Sequence, residues 1–206
     1  MRYFVKFSYK GTNYHGWQEQ PNDVSVQSVL TDAMSTVLRC PIELVGAGRT
    51  DAGVHAKCMY AHFDMNERIE DTRLVISKLN NLLPHDIAVD DIYEVEPDCH
   101  ARFSAKSRTY KYYVTTKKSA FLTEFAAKYT FPIDVEAMNE AAEKLLNYTD
   151  FTSFSKVHTD VKTNNCVIYY AKWEQTEDCL VFTIKANRFL RNMVRAIVGT
   201  LIEVGK

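Results

Sequence analysis

The chain has 206 residues, 25 Lys+Arg against 26 Asp+Glu, 46% hydrophobic and 12% aromatic residues. High apolar content with a net charge of only −1 excludes a disordered chain, and the length suffices for one large domain or two small ones, each with a buried core. No apolar stretch approaches a membrane span and the start, Met1-Arg-Tyr-Phe-Val-Lys, lacks a signal-peptide apolar region, so a cytoplasmic protein with no membrane partner is expected.

Residues 2 to 9 alternate around Tyr3, Val5, Phe7 and Tyr9, which predicts a strand. Ser25 can cap a helix carrying Val26, Val29, Leu30, Ala33, Met34, Val37 and Leu38 at helical spacing. Residues 42 to 47 and 54 to 63 read as two strands joined by a glycine-rich turn. Asp71 caps a second helix bearing Leu74, Leu79, Leu82 and Leu83 and stopped by Pro84, and residues 87 to 95 form a further strand. Strand, helix, strand, strand, helix, strand is the split β-α-β order of ferredoxin-like domains.

The second half starts the same order again. A long aromatic strand is expected over 105 to 116, a helix over 134 to 147 with Met138, Ala141, Ala142, Leu145 and Leu146 on one face, and a hairpin of 166 to 175 and 179 to 186 turning at Glu177-Asp178. A last helix, about 189 to 203, places Leu190, Met193, Val194, Ile197 and Leu201 on one side. By comparison with the first half, the closing strand of this unit is missing. The expected fold class is therefore α+β, with two related ferredoxin-like halves, 1–103 and 104–206, whose sheets join into one mixed, mostly antiparallel sheet with helices on one side.

Charge is uneven along the chain. Residues 64 to 100 hold ten acids and three bases, whereas 101 to 118 hold Arg102, Lys106, Arg108, Lys111, Lys117 and Lys118 and no acid; 185 to 195 add Lys185, Arg188, Arg191 and Arg195. These runs are either solvated faces or a confined basic cleft for nucleic acid, and the interleaved Phe103, Tyr110, Tyr112, Tyr113 and Phe189 favour the cleft. At spacings of three and four, Arg188, Arg191 and Arg195 would share one face of the last helix. Tyr110, mid-strand, is either core or a base-stacking platform.

Five of the seven glycines fall in two short loops, Gly11 and Gly16 in one, Gly46, Gly48 and Gly53 in the other. Glycine is required where the backbone needs positive φ or a close approach. The second loop joins two strands, so it is neither a dinucleotide fingerprint nor a P-loop. It offers the carboxylate of Asp51 two residues from the Arg49 guanidinium. A carboxylate so placed stays ionised and suits a nucleophile or base at a carbon centre; alternatively Asp51 caps an Asx-type turn. No metal is expected, since His15, His55, His62, His85, His100 and His158 show no ligand spacing, and Cys40, Cys58, Cys99, Cys166 and Cys179, odd in number and without a C-x-x-C pair, read as free thiols.

Four segments in order resemble the tRNA pseudouridine synthase A family: Tyr9-x-Gly-x-x-Tyr-x-Gly-Trp-Gln-x-Gln20, Gly46-Ala-Gly-Arg-Thr-Asp-Ala-Gly-Val-His-Ala56, His100-Ala-Arg-Phe-Ser-Ala-x-x-Arg-Thr-Tyr-Lys-Tyr112, and Asn187-Arg-Phe-Leu-Arg-Asn-Met-Val-Arg-x-Ile-Val-Gly199. The resemblance implies the pseudouridine synthase fold and isomerisation of uridine to pseudouridine in the anticodon stem-loop of tRNA, just 3′ of the anticodon, without cofactor. It implies Asp51 as the catalytic aspartate, Tyr110 in contact with the target uracil, Arg49 as the side chain that helps displace the base, and Arg191 or Arg195 as a further basic partner. Arg102, Lys106, Arg108, Lys111, Arg188, Gln18 and Gln20 are the remaining candidates for RNA contact. A homodimer with tRNA bound across both subunits is implied as well. Relatives continue past Lys206 with a helix and a strand, so a partial chain is expected. The competing readings are a non-catalytic RNA-binding module of ferredoxin-like fold, for which Asp51 would be dispensable, and an enzyme acting on a free nucleoside or nucleotide.

Overall fold

A computed structural model of the chain describes residues 1–156 and 163–206. His158 lies outside the described residues. The chain divides into two compact units, Met1–Ala105 and Lys106–Lys206, each with its own core.

In the first unit β1 (Arg2–Tyr9) is the central strand, and Tyr3, Val5, Phe7 and Tyr9 are all buried, as their alternation requires. Ser25 caps α1 (Val26–Leu38): its hydroxyl accepts from the Ser28 amide while the Ser28 side chain accepts from the Ser25 amide, satisfying two orphan donors reciprocally. β2 (Val45–Gly46) and β3 (Ala56–Asp64) flank the second glycine loop. Asp71 caps α2 (Thr72–Leu82), accepting from the Leu74 amide, and β4 (Ile87–Val95) closes the unit. The sheet order β2-β3-β1-β4, antiparallel throughout, is the ferredoxin-like one expected from the element order.

Two expectations need correction here. The strand over 42 to 47 shrinks to Val45–Gly46. Ile42 and Leu44 are buried, but the Ile42 amide donates to Ser35 Oγ and the Leu44 carbonyl accepts from Gln27 Nε2, so both are tied to α1 side chains and not to a sheet ladder. On α2, Leu79 and Leu83 are buried as expected, whereas Leu74 and Leu82 are 51% and 52% exposed. The face that turns inward instead carries Val75 and Ile76, which with Leu79 and Leu83 make the i, i+1, i+4 and i+8 stripe of a half-buried helix.

In the second unit β5 (Arg108–Thr115) pairs with β8 (Leu180–Ala186), which pairs with β7 (Ile168–Gln175), all antiparallel. The β7–β8 turn is held by Thr176, whose amide and hydroxyl donate to the Cys179 carbonyl. β6 (Ala127–Lys128) runs parallel to the end of β5 at Val114 and Thr115, giving the order β6-β5-β8-β7. The fold is therefore mixed and mostly antiparallel. β5, β8 and β7 repeat the order of β1, β3 and β2, and the place that β4 takes beside β1 is held beside β5 by the two-residue β6.

The helices of this unit are shorter than their apolar patterns. α3 (Val135–Lys144), capped by Asp134, gives way to a 3-10 turn at Leu145–Asn147, and Leu146 is exposed. α4 spans Met193–Gly205, four residues later than expected. Asn192 takes a left-handed φ of 64° and so breaks the helix before it. Leu190 is buried without being helical. The shared face of Arg188, Arg191 and Arg195 therefore does not exist: only Arg195 is in the helix, and its guanidinium bonds to the Asn192 side chain.

Leu79→Ala is expected to destabilise the protein by about 2–5 kcal/mol through the cavity it leaves, and Leu74→Ala by no more than about 0.5 kcal/mol. Urea unfolding followed by circular dichroism measures both.

Candidate active site

The glycine loop between β2 and β3, residues 47 to 55, is held from beneath by the loop that follows β1. Thr50 is the joint. Its hydroxyl bonds to the buried Tyr9 Oη at 2.8 Å, and its carbonyl accepts from the Trp17 amide at 3.4 Å. Gly16, at φ 89°, passes so close that a Cβ there would stand 2.2 Å from the Thr50 carbonyl oxygen, and a Cβ on Gly11 would stand 2.0 Å from that of Val54. No side chain fits either gap, which is why the first loop carries glycine at both places. Gly48 behaves differently, with open space where its Cβ would be and no positive φ, so neither reason applies to it.

Further bonds fix the two loops as one body. The Gly11 amide donates to His55 Nδ1 at 3.0 Å, the Gly53 amide to the Tyr14 carbonyl, and the Val54 amide to the Asp51 carbonyl. His55 is thus a structural acceptor. Tyr14 Oη donates to Asp86 Oδ1 at 2.6 Å and Asn13 Nδ2 to Asp86 Oδ2 at 3.0 Å, so the loop is anchored on the turn between α2 and β4. Desolvation works against the Asp86 carboxylate, but the bonds from Tyr14 and Asn13 outweigh it and hold the carboxyl below its ordinary range. Burial, with Asp86 next to it, pushes the Tyr14 hydroxyl up. On this frame Asp51 is presented half-buried and Arg49 exposed. Gln18 and Gln20, at the far end of the first loop, are exposed, and Gln20 Nε2 donates to the His15 carbonyl. Arg102 lies in the same unit, on the turn after β4, with its guanidinium 5.6 Å from the centre of the Phe103 ring.

The second unit gathers a separate set. Tyr110, opposite Ile184 in the β5–β8 ladder, meets Phe189 edge-to-face at 5.0 Å at the rim of the core. Arg108 donates from Nη1 to the Asn187 carbonyl at 2.9 Å. Asn187 in turn braces Val167 twice, its side chain accepting from the Val167 amide and its own amide donating to the Val167 carbonyl. This staple sets the path of residues 187 to 192. Along it Arg188 is half-buried and Arg191 exposed, with Arg195 exposed on the first turn of α4; Lys106 and Lys111 are exposed on and before β5. Among the described residues no three of His, Cys, Asp and Glu are grouped so as to hold a metal ion.

Tyr9, Thr50, Trp17, Tyr14 and Asp86 are the positioning residues that a search for reactive groups passes over. The first four lie inside the glycine motifs, where their spacing marks them. Asp86 has no such signal, being one acid among the ten of an acidic stretch.

The two units define an α+β protein with a duplicated ferredoxin-like plan whose first half exists locally to present one carboxylate on an immobilised glycine loop. A family model described as tRNA pseudouridine synthase matches residues 6–104 and 141–206. The tRNA pseudouridine synthase A of Parabacteroides distasonis is 60% identical over 205 residues, covering 100% of this chain and 81% of the relative. That of Bacteroides thetaiotaomicron is 59% identical, covering 100% and 77%, and that of Caldicellulosiruptor bescii 39% identical, covering 98% and 83%. The chain belongs to the tRNA pseudouridine synthase family, whose members are isomerases, and the two four-stranded sheets and four helices of the described residues fit that fold.

Asp86→Asn is expected to lower the unfolding midpoint at neutral pH. A carboxyl whose folded-state pKa is depressed contributes stability above its ordinary value of 3.8 and loses it as pH falls through the folded value. The gap between wild type and variant therefore closes in melts taken below pH 3.8.

Proposed function

We propose that this chain isomerises uridine to pseudouridine in the anticodon stem-loop of tRNA, just 3′ of the anticodon, with Asp51 as the catalytic carboxylate. The observation that carries the proposal is the immobilised loop around Thr50, which holds Asp51 half-buried at a fixed place two residues along the chain from the exposed Arg49. Preorganising one carboxylate is what a reaction at one sugar carbon demands.

The chemistry is internally balanced. The bond from uracil N1 to ribose C1′ breaks, the uracil turns, a bond from C5 to C1′ forms, the C5 proton leaves and N1 gains one. There is no redox change and no group enters, so one carboxylate, attacking C1′ or withdrawing a ribose proton, meets the need without a cofactor. The target base must leave its stack, at a cost of a few kcal/mol, roughly. Arg49, exposed on the Asp51 loop, is suited to take its place, and Tyr110 to contact the uracil. Arg191 or Arg195 supplies a further cation, and Arg102, Lys106, Arg108, Lys111 and Arg188 hold the phosphates, Gln18 and Gln20 adding polar contacts. In this reading residues 1–103 form the catalytic half and 104–206 the other half of a cytoplasmic homodimer subunit. No described helix is long and apolar enough to cross a membrane.

The test is release of tritium from tRNA carrying 5-tritiated uridine, because forming the C5–C1′ bond must expel that hydrogen. Asp51→Asn is expected to slow release by about 100-fold or more while tRNA binding is retained. Equal release from both proteins overturns Asp51 as the centre, and binding without release from the wild type selects the RNA-binding module instead. Binding itself is expected to weaken steeply between low and physiological salt, as phosphate contacts require.

A further inference from the structure

The turn that follows β4 carries three rings in a row. His62, on β3, is 4% exposed; its ring centre lies 4.5 Å from that of His100, which lies 4.4 Å from that of Phe103. The row climbs from the interior to the surface, for Phe103 is 75% exposed. The Arg102 guanidinium sits over the Phe103 ring.

This turn is rigid. The Ala101 amide donates to His62 Nδ1 at 3.2 Å, the Arg102 amide to His100 Nδ1 at 3.1 Å, the His100 amide to Ser104 Oγ at 2.9 Å and the Ser104 amide to the His100 carbonyl at 2.8 Å. Arg2 Nη1 donates to the Cys99 carbonyl from the other side. In both bonds to an imidazole, Nδ1 is the acceptor. Burial, with His100 and Arg2 nearby, holds His62 below the ordinary histidine range, in keeping with its role as acceptor.

Burial does not explain Phe103. A ring left three-quarters in water contributes little of the stabilisation that a buried phenylalanine gives. It is nonetheless held against an imidazole inclined at 42° to it, beside a guanidinium, on a turn fixed by its hydrogen bonds. An exposed aromatic face with an adjacent cation, braced from behind by an imidazole, is what an unstacked nucleobase binds, since every base has a π-face and brings a phosphate within reach of the cation.

We propose that Phe103, backed by His100 and flanked by Arg102, is a stacking ledge for an unpaired nucleobase of the RNA other than the uridine that reacts. The inference rests on the tRNA substrate proposed above but does not depend on Asp51. The ledge sets where the RNA lies on the first unit; the reacting carboxylate sits on a different loop.

Three proteins test it: wild type, Phe103→Ala and Phe103→Tyr, each titrated with an unmodified tRNA transcript and with transcripts made abasic at single unpaired positions of the anticodon loop. The alanine variant is expected to bind the intact transcript about tenfold more weakly, and the tyrosine variant within twofold of wild type, as stacking alone requires. On one abasic transcript the wild type loses that same tenfold and the alanine substitution adds nothing further. Equal affinity of wild type and Phe103→Ala overturns the ledge, as does a tenfold loss in Phe103→Tyr. So does a change of oligomeric state in Phe103→Ala by sedimentation, which would make the ring a protein contact. If tritium release fails its Asp51→Asn test while Phe103→Ala still weakens binding with the abasic signature, the ledge stands and the catalytic assignment falls.

Discussion

Thr50 bears on everything that surrounds Asp51. Its hydroxyl bond to Tyr9 contributes about 1 kcal/mol, an ordinary sum for a protein hydrogen bond. The steric constraint is larger. A Cβ on Gly16 would stand 2.2 Å from the Thr50 carbonyl oxygen, a separation that no rotamer change relieves because both partners are backbone. The close fit of two main chains therefore decides the geometry, and the hydrogen bonds from Trp17, Gly11 and Gly53 keep it in register. Asp86 extends the same brace to the sheet through Tyr14, so the loop that presents the carboxylate inherits the rigidity of β4.

Much of this was legible in the chain because the signals were local. Ser25 and Asp71 mark the starts of α1 and α2 by capping chemistry, and residues 87 to 95 are bounded by Pro84 on one side and Pro97 on the other, so β4 falls where it is expected. The errors at the element ends share one cause: an apolar pattern reports burial and not backbone pairing. Ile42 and Leu44 are buried yet bond to helix side chains, and Leu190 is buried one turn before its helix starts. Leu74 and Leu82 fail in the opposite sense, since a helix that also has Val75 and Ile76 can turn only one stripe inward. Of the site, Asp51 and Arg49 are visible as a motif. Asp86 is not, because its role comes from a contact 72 residues away in sequence with Tyr14.

The two units use one plan with different reinforcement. In the first, a loop is immobilised by another loop; in the second, one residue, Asn187, ties the segment before α4 to Val167, just ahead of β7, through both its backbone amide and its side-chain carbonyl. The first solution needs glycines, because backbone must meet backbone. The second needs an amide side chain of fixed length, and the glycines disappear from that half until Gly199 and Gly205. The uneven spread of glycine along the chain thus records two ways of holding a loop still.

The tryptophans fall one to each unit. Trp17 is 3% exposed and stacked on Phe7 at 5.1 Å; Trp173 is 1% exposed and lies 4.9 Å from Phe182. Their surroundings differ, for the Trp173 indole N–H has no partner among the described residues, whereas the Trp17 indole packs against Gly46, at the edge of the loop that carries Asp51. Tryptophan emission in consequence comes from one indole in each core. With Trp173 replaced by phenylalanine, the remaining tryptophan sits at the base of the Asp51 loop, so its emission, excited to the red of the tyrosine band, follows that loop without any dye or label being attached.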